Sequence, residues 1–327
     1  MLVHQLVRVE LILFNNDSTN NDDGNFRELY EHLCTRMRGR RKREFSMNFQ
    51  PHKVLESSCY SCSFMDVNVS NNHNVIVVSD FHNSQFQIMD RKTKTLKAIV
   101  PTKGRPRGLC IEENFDGNEN DAIIATFSRT YTVEKFNLWL VLDRLRGQDA
   151  NSNIQCSVWS QENKHGAHGI AVSSRRSTSE KNLVFVCEVF SSNILILNSL
   201  DGQPITKVTA HCWGIVPIDR NKFIISSQKQ ELHVMEIDHE LKTPRLTPLT
   251  QDGVTALGVT YDCVSKLIYA VSGKQKNTVV VFNLHGRRVH EFEFGHLCTR
   301  CLFIHIDNET GELLVPDFKG SKIHAFK

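Results

Sequence analysis

From about residue 50 onward the chain alternates short runs of β-branched and aromatic residues with polar turns. The recurring unit is an apolar run, a polar turn and a second apolar run. It reads VIVVSDFHNSQFQIMD from Val75, AIIATFSRTYTVEKF from Ala122 and LVFVCEVFSSNILIL from Leu183. It returns as FIISSQKQELHVMEI from Phe223, LIYAVSGKQKNTVVVF from Leu267 and ELLVPDFKGSKIHAF from Glu312. Such runs, bounded by polar turns, are strand signals. The first run meets its turn at Asp80, Thr126, Glu188, Ser227, Ser272 and Asp317, spaced by 46, 62, 39, 45 and 45 residues, a mean of about 47. A repeat of this length built from several short strands predicts a β-propeller.

Two more runs complete each unit. One lies upstream and opens on glycine, at Gly108-Leu109, Gly169-Ile170, Gly214-Ile215 and Gly258-Val259; it predicts the innermost strand of a blade. The other follows the pair: LKAIV from Leu96, CSVW from Cys156, ITKV from Ile205, LTPL from Leu246 and VHEFEF from Val289. The 62-residue spacing holds an insertion around Leu138 to Asn153 with the amphipathic LWLVLDRLRG. The sixth unit stops at Lys327 after its third strand, while HKVLES from His52 belongs to no unit. The expectation is that this segment supplies the sixth blade's outer strand, so that the first and last segments cover edges otherwise exposed. Five blades plus a loose strand pair is the alternative. The predicted organisation is an extension over residues 1–49 and a propeller over 50–327.

Within the extension, NNDSTNNDDGN (residues 15–25) has almost nothing apolar to bury and reads as a linker. Residues 26–44 predict a helix: Phe26, Leu29, Leu33 and Met37 form one apolar stripe, and Asn25 suits the N-cap. It ends in a basic patch of Arg36, Arg38, Arg40, Arg41, Lys42 and Arg43. Three readings stand: a solvated helix end, a nuclear-import or RNA-contacting patch, or a dock for an acidic partner.

The segment GIAVSS…VFVCEVFSSNILILNSLDGQPITKV resembles an NHL repeat: a Gly-apolar strand, an apolar run, a polar turn, and a strand closing on a D-G or N-G turn. Asp201-Gly202 and His285-Gly286 stand at that closing turn, and the repeat's Asp is present at Asp80 and Asp317. The resemblance covers about residues 50–327 and implies an all-β fold, a six-bladed NHL/TolB-like propeller. Propellers of this kind serve as protein or RNA interaction platforms, often beside ubiquitin-ligase modules; a smaller group are metal-dependent lyases.

Composition narrows the class. Of 327 residues, 40% are hydrophobic and 23% charged, which excludes a wholly disordered or collagen-like chain. With 39 basic and 36 acidic residues, the net charge of +3 makes no case for nucleic acid alone. No run of about 20 apolar residues predicts a membrane helix. Leu2 to Phe14 carries Arg8 and Glu10 in its middle and does not read as a signal peptide. Ten scattered cysteines then suggest reduced thiols and a cytoplasmic or nuclear setting.

Residues just before the innermost strands should crowd one end of the channel. Those preceding the opening glycines are Arg107, His168, Trp213 and Leu257; in the two units without that glycine, Arg300 and Cys62 fall nearest. Arg107, His168, Trp213 and Arg300 are the candidate partner-binding residues. Arginine offers a forked donor pair and tryptophan a flat apolar floor, a combination suited to a carboxylate, a phosphate or an acidic peptide. The plainer reading is blade-edge residues with their own salt bridges. His168, His211, His296, Cys298 and Cys301 are the metal candidates, Cys298 and Cys301 being one of two CxxC pairs; the other is Cys59 and Cys62. The histidines share no register and alternation sends the members of a pair to opposite faces, so no metal is expected. No GxSxG, GxxxxGK[ST], HExxH or GxGxxG motif occurs, and no catalytic residue or cofactor is assigned. RRSTS, from Arg175 to Ser179, resembles a basophilic kinase target. The expected function is non-enzymatic: a scaffold binding a protein partner at the channel mouth. The alternatives are a metal-dependent lyase or hydrolase in the channel, and RNA binding through basic residues.

Overall fold

The computed structural model describes residues 42–56, 61–146, 156–173, 182–219, 221–227, 231–237, 244–250 and 253–327. The expected linker, most of the basic helix and the RRSTS loop lie outside the described residues. The compact unit that carries the propeller runs from Arg43 to Lys327.

Six four-stranded antiparallel sheets make up this unit. β1 (Pro51–Glu56) comes first in the chain. Blade 1 is β2 (Phe64–Ser70), β3 (Val75–Asp80), β4 (Gln85–Asp90) and β5 (Leu96–Pro101). Blade 2 is β6 (Pro106–Glu112), β7 (Ala122–Phe127), β8 (Thr132–Asn137) and β9 (Ser157–Glu162), with α1 (Leu138–Arg146) between its last two strands. Blade 3 is β10 (Ala167–Val172), β11 (Leu183–Glu188), β12 (Asn193–Asn198) and β13 (Pro204–Thr209). Blade 4 is β14 (Gly214–Asp219), β15 (Lys222–Ser226), β16 (His233–Glu236) and β17 (Arg245–Pro248). Blade 5 is β18 (Ala256–Asp262), β19 (Leu267–Ser272), β20 (Thr278–Asn283) and β21 (Arg288–Glu293). Blade 6 is β22 (His305–Asp307), β23 (Glu312–Asp317) and β24 (Lys322–Phe326), and its outer strand is β1. β1 runs antiparallel to β24 with Leu55 opposite Ile323, so the beginning of the unit closes its end.

Burial explains the two kinds of apolar pattern. The second strand of a blade is covered on both faces by neighbouring blades. Hence β3, β7 and β23 are buried at every position and read as continuous apolar runs. The outer strands β13 and β21 stay largely exposed and carry polar residues, while β5 is half-buried. Between blades 1 and 2, Phe86 meets Phe127 and Phe136 edge-on at 6.1 and 5.8 Å. Losing one such ring to alanine costs about 3–5 kcal/mol. Phe45 and Phe49, ahead of β1, are also core residues: Phe45 Nα–H donates to Asp262 Oδ2 at 2.9 Å and Phe49 stacks on Phe292 at 4.4 Å. α1 buries Leu138 and Val141 against blade 2.

The cysteines depart from expectation at one pair. Cys187 on β11 and Cys212, in the link to β14, are disulfide-bonded with Cα atoms 5.2 Å apart. Both sit inside the apolar cluster between blades 3 and 4. Cys110, Cys298 and Cys301 are buried free thiols, and Cys62 is buried as well.

The end of the ring holding the turns between first and second strands is pinned by buried charges. Lys135 Nζ is fully buried, 2.7 Å from Glu112 and 2.9 Å from the Ser199 carbonyl, and so ties blade 2 to blade 3. Arg91 of blade 1 pairs with Asp307 and, at 2.7 Å, with Glu309 of blade 6, while Lys94 meets Glu312 at 2.6 Å.

Candidate interaction site at the channel mouth

The opposite end of the channel is built by the innermost strands. At their starts each blade touches the next through backbone. A Cβ on Gly108 would lie 2.1 Å from the His168 carbonyl oxygen, and one on Gly169 2.5 Å from that of Trp213. The opening glycine is therefore required by the closeness of the adjoining strand. Hydrogen bonds stitch the same junctions. Gly169 N–H donates to Trp213 O at 2.9 Å and Gly258 N–H to Leu302 O at 2.8 Å. Ser79 Oγ donates to Arg107 O at 2.7 Å and Thr126 Oγ1 to His168 O at 2.9 Å. In blade 1 a carboxylate takes the glycine's place: Asp66 Oδ2 accepts from Leu109 N–H at 2.9 Å, and burial raises its pKa to about 7.

These contacts fix the ring. Its members are Arg107, His168, Trp213 and Leu257, completed by Leu302 and Met65. The sequence-based choice of Arg300 and Cys62 for the last two places is two to three residues too early. Phe318 N–H donates to Arg300 O as Ser128 N–H does to Arg105 O, at 2.8 and 3.0 Å, so Arg300 is the counterpart of Arg105, one step outside the ring. Cys62 is buried beneath the surface, its sulfur accepting from Gln87 Nε2 at 3.2 Å.

Arginines and aromatic rings nonetheless form one continuous patch. The Arg300 guanidinium stands 5.7 Å over Phe318, Phe318 lies 6.0 Å from Phe81, and Arg105 and Arg107 stand 5.3 and 5.6 Å over Phe81. Arg107 Nη1 then contacts His168 Nε2, and the His168 ring lies 4.1 Å from Trp213. Carboxylates position this patch without neutralising it. Asp317 accepts from the backbone N–H groups of Thr299 and Arg300 at 2.8 and 3.0 Å, fixing the link that carries Arg300. Asp80 does the same for Ser63 at 3.2 Å. Phe81 and Phe318 each follow one of these aspartates; Asp-Phe at the end of a second strand is the signal that finds them. Arg105, Phe81 and Phe318 were not singled out by the sequence reading.

The electrostatics are one-sided. His168 is buried, and its pKa is pushed down to about 3, first by burial and then by the Arg107 charge. It is neutral at physiological pH. Since Nε2 faces a guanidinium donor, it accepts and the ring proton resides on Nδ1. Burial also lowers the pKa of Arg107, which stays charged. Four buried donors here find no acceptor among the described residues: Arg105 Nε, Arg107 Nε, His168 Nδ1 and Trp213 Nε1. Each unmade bond costs about 1–3 kcal/mol.

The metal candidates do not assemble. Among the described residues no three His, Cys, Asp or Glu side chains converge as a metal needs. His296 is exposed and His211 lines a separate cleft. Cys298 is a protonated thiol, its pKa pushed up to about 12 by burial and by Asp317. Of the basic patch, Lys42 and Arg43 fall within the described residues; both are exposed, and Arg43 N–H donates to Asn308 O at 2.7 Å. Among the described residues no helix is long and apolar enough to cross a membrane.

No family model matches the chain, and no curated protein does. Among solved structures it is similar to the β-propeller domain of Cps50 (Swd1) from Myceliophteria thermophila, with a TM-score of 0.57 at 9% identity. The match covers 84% of this chain and 98% of that one. Together with the six closed sheets, this likeness establishes a six-bladed β-propeller and leaves function to be argued from the mouth.

Proposed function

We propose that this propeller is a non-enzymatic interaction scaffold that captures a protein partner at the channel mouth, through Arg105, Arg107, His168, Trp213 and Arg300. The observation that carries the reading is the set of four buried donors that find no acceptor among the described residues, within a patch of arginines that pairs with no carboxylate among them. Buried donors without acceptors are rare in folded proteins and ask for a partner. A carboxylate of an acidic segment supplies one, accepting from the guanidinium forks in the geometry arginine favours. Arg and Trp at the centre of a patch are also the types that dominate interface energies. The likeness of the repeats to NHL propellers, which serve as interaction platforms, points the same way.

RNA is the second reading, favoured by the interleaving of Arg105, Arg107 and Arg300 with Phe81 and Phe318, since cations and aromatic faces together grip single strands. One experiment separates the two. Proteins captured by the wild type are compared, by mass spectrometry, with those captured by the Arg107→Glu/Arg300→Glu variant, and both are titrated with single-stranded RNA. A defined protein lost from the variant, with its circular dichroism unchanged, supports the scaffold reading. An unchanged set of captured proteins overturns it, and salt-sensitive RNA binding lost in the variant replaces it.

A further inference from the structure

A second concavity adjoins the mouth. It is a cleft of about 310 Å³ between blades 3 and 4, lined by Thr209 and His211 on one side and by Ile225, His233, Leu246 and Pro248 on the other. Local sequence explains why it opens there. β16 and β17 have four residues each, whereas the third and fourth strands of blades 1, 2, 3 and 5 have six. Ile225 and Leu246 lie at its floor, beside these short strands. Its volume lies at the lower end of the range of about 300–1,000 Å³ for ligand pockets, enough for one large apolar side chain.

The cleft and the mouth share three consecutive residues. His211 lines the cleft, Cys212 is anchored beneath by its bond to Cys187, and Trp213 belongs to the mouth ring. Two residue steps span at most about 7 Å. Phe190, in the turn that also gives Ser192 to the cleft, is 74% exposed, an unusually bare aromatic ring.

Resting on the mouth reading above, we infer that mouth and cleft form one two-point site for an extended protein segment. A carboxylate of that segment sits against Arg107 and His168, and an apolar side chain two to four positions away enters the cleft. The spacing is part of the inference: an extended chain advances about 3.3–3.6 Å per residue, so two to four residues reach about 7–14 Å, against a ceiling of about 7 Å for the stretch of chain that joins Trp213 to His211. Charge complementarity orients the segment, and the apolar anchor supplies affinity that a rim charge alone does not.

The test uses a positional-scanning library of immobilised, acetylated octapeptides with one fixed glutamate, probed with the full chain. The wild type is expected to enrich Leu, Ile, Met or Phe two to four positions from that glutamate. Thr209→Trp, which fills the cleft from an exposed position, and Pro248→Arg, which charges its rim, should keep the preference for glutamate and lose the apolar preference. Affinity for a selected peptide should fall about tenfold or more, as expected for one apolar side chain left unburied. Arg107→Glu should lose the glutamate preference instead. A wild type that enriches acidic peptides without any apolar preference, or cleft variants that bind the selected peptide unchanged, would overturn the two-point site and leave the mouth reading standing. A wild type indifferent to the glutamate overturns both.

Discussion

The two ends of the propeller use charge in opposite ways. At the end holding the turns between first and second strands, cations are spent on the fold: Lys135 pairs with Glu112 inside blade 2 and reaches the Ser199 carbonyl of blade 3, while Arg91 on Asp307 and Glu309 and Lys94 on Glu312 bridge blades 1 and 6. At the mouth, Arg105, Arg107 and Arg300 rest on aromatic rings and pair with no carboxylate among the described residues, and four buried donors go unmatched there. Folding needs the first set, because a buried charge without its partner is costly. It gains little from the second, which therefore reads as reserved for something outside the chain. A ring closed by strand pairing can carry such an unsatisfied face, because blade contacts elsewhere supply the stability.

That contrast can be broken at its strongest point first. A chain lacking residues 1–42 keeps Phe45, Phe49 and β1, and should unfold cooperatively near the full-length melting temperature. A chain lacking residues 1–56 loses those rings, Leu55 and the partner of β24, leaving an open edge. It should fail to show a cooperative transition by differential scanning calorimetry. Equal transitions would show that β1 does not hold the ring.

Next in size is Glu112→Ala. It strands the ammonium of Lys135, which is wholly buried, and should cost about 3–5 kcal/mol in urea denaturation. Adding Lys135→Met should recover most of the loss. The matching change at the mouth, Arg105→Ala with Arg300→Ala, should shift stability by no more than about 0.5 kcal/mol. A loss at the mouth as large as that of Glu112→Ala would erase the distinction between the two ends.

The smallest effect is in pH dependence. His168 titrates near its ordinary value of 6.5 when unfolded and near 3 when folded. Between those values the unfolded chain holds the extra proton, so stability falls as pH drops from about 6.5 towards 3. Asp66, raised to about 7 by burial, opposes this: the folded form holds its proton across the range in which the unfolded carboxyl has lost it. His168→Gln should flatten the acid-side decline relative to the wild type while leaving the Asp66 contribution. Parallel curves for the two proteins would show that His168 is not held neutral by the fold.

Much of this architecture is legible in the sequence because sterics leave few choices. The glycines at 108, 169, 214 and 258 are dictated by a neighbouring carbonyl less than 3 Å from where a Cβ would stand, so they mark the innermost strands and deliver Arg107, His168 and Trp213 directly. Where Asp66 and Phe303 replace the glycine, that marker vanishes and the reading slips outward to Cys62 and Arg300. Phe45 and Phe49 lie before the first strand, where no periodicity announces a core residue. The Cys187–Cys212 bond joins a strand to a link 25 residues away, a proximity only the blade packing creates. The cleft is equally hidden, since it arises from two strands being short rather than from any motif.

If the charge of the mouth serves a partner's carboxylate, reversing its sign should reverse what it binds. The Arg105→Glu/Arg107→Glu variant is selected against a fully degenerate octapeptide library alongside the wild type. The wild type should enrich Asp and Glu, and the variant, equally folded by calorimetry, should enrich Lys and Arg at the same positions. A variant that still enriches acidic peptides would contradict that role.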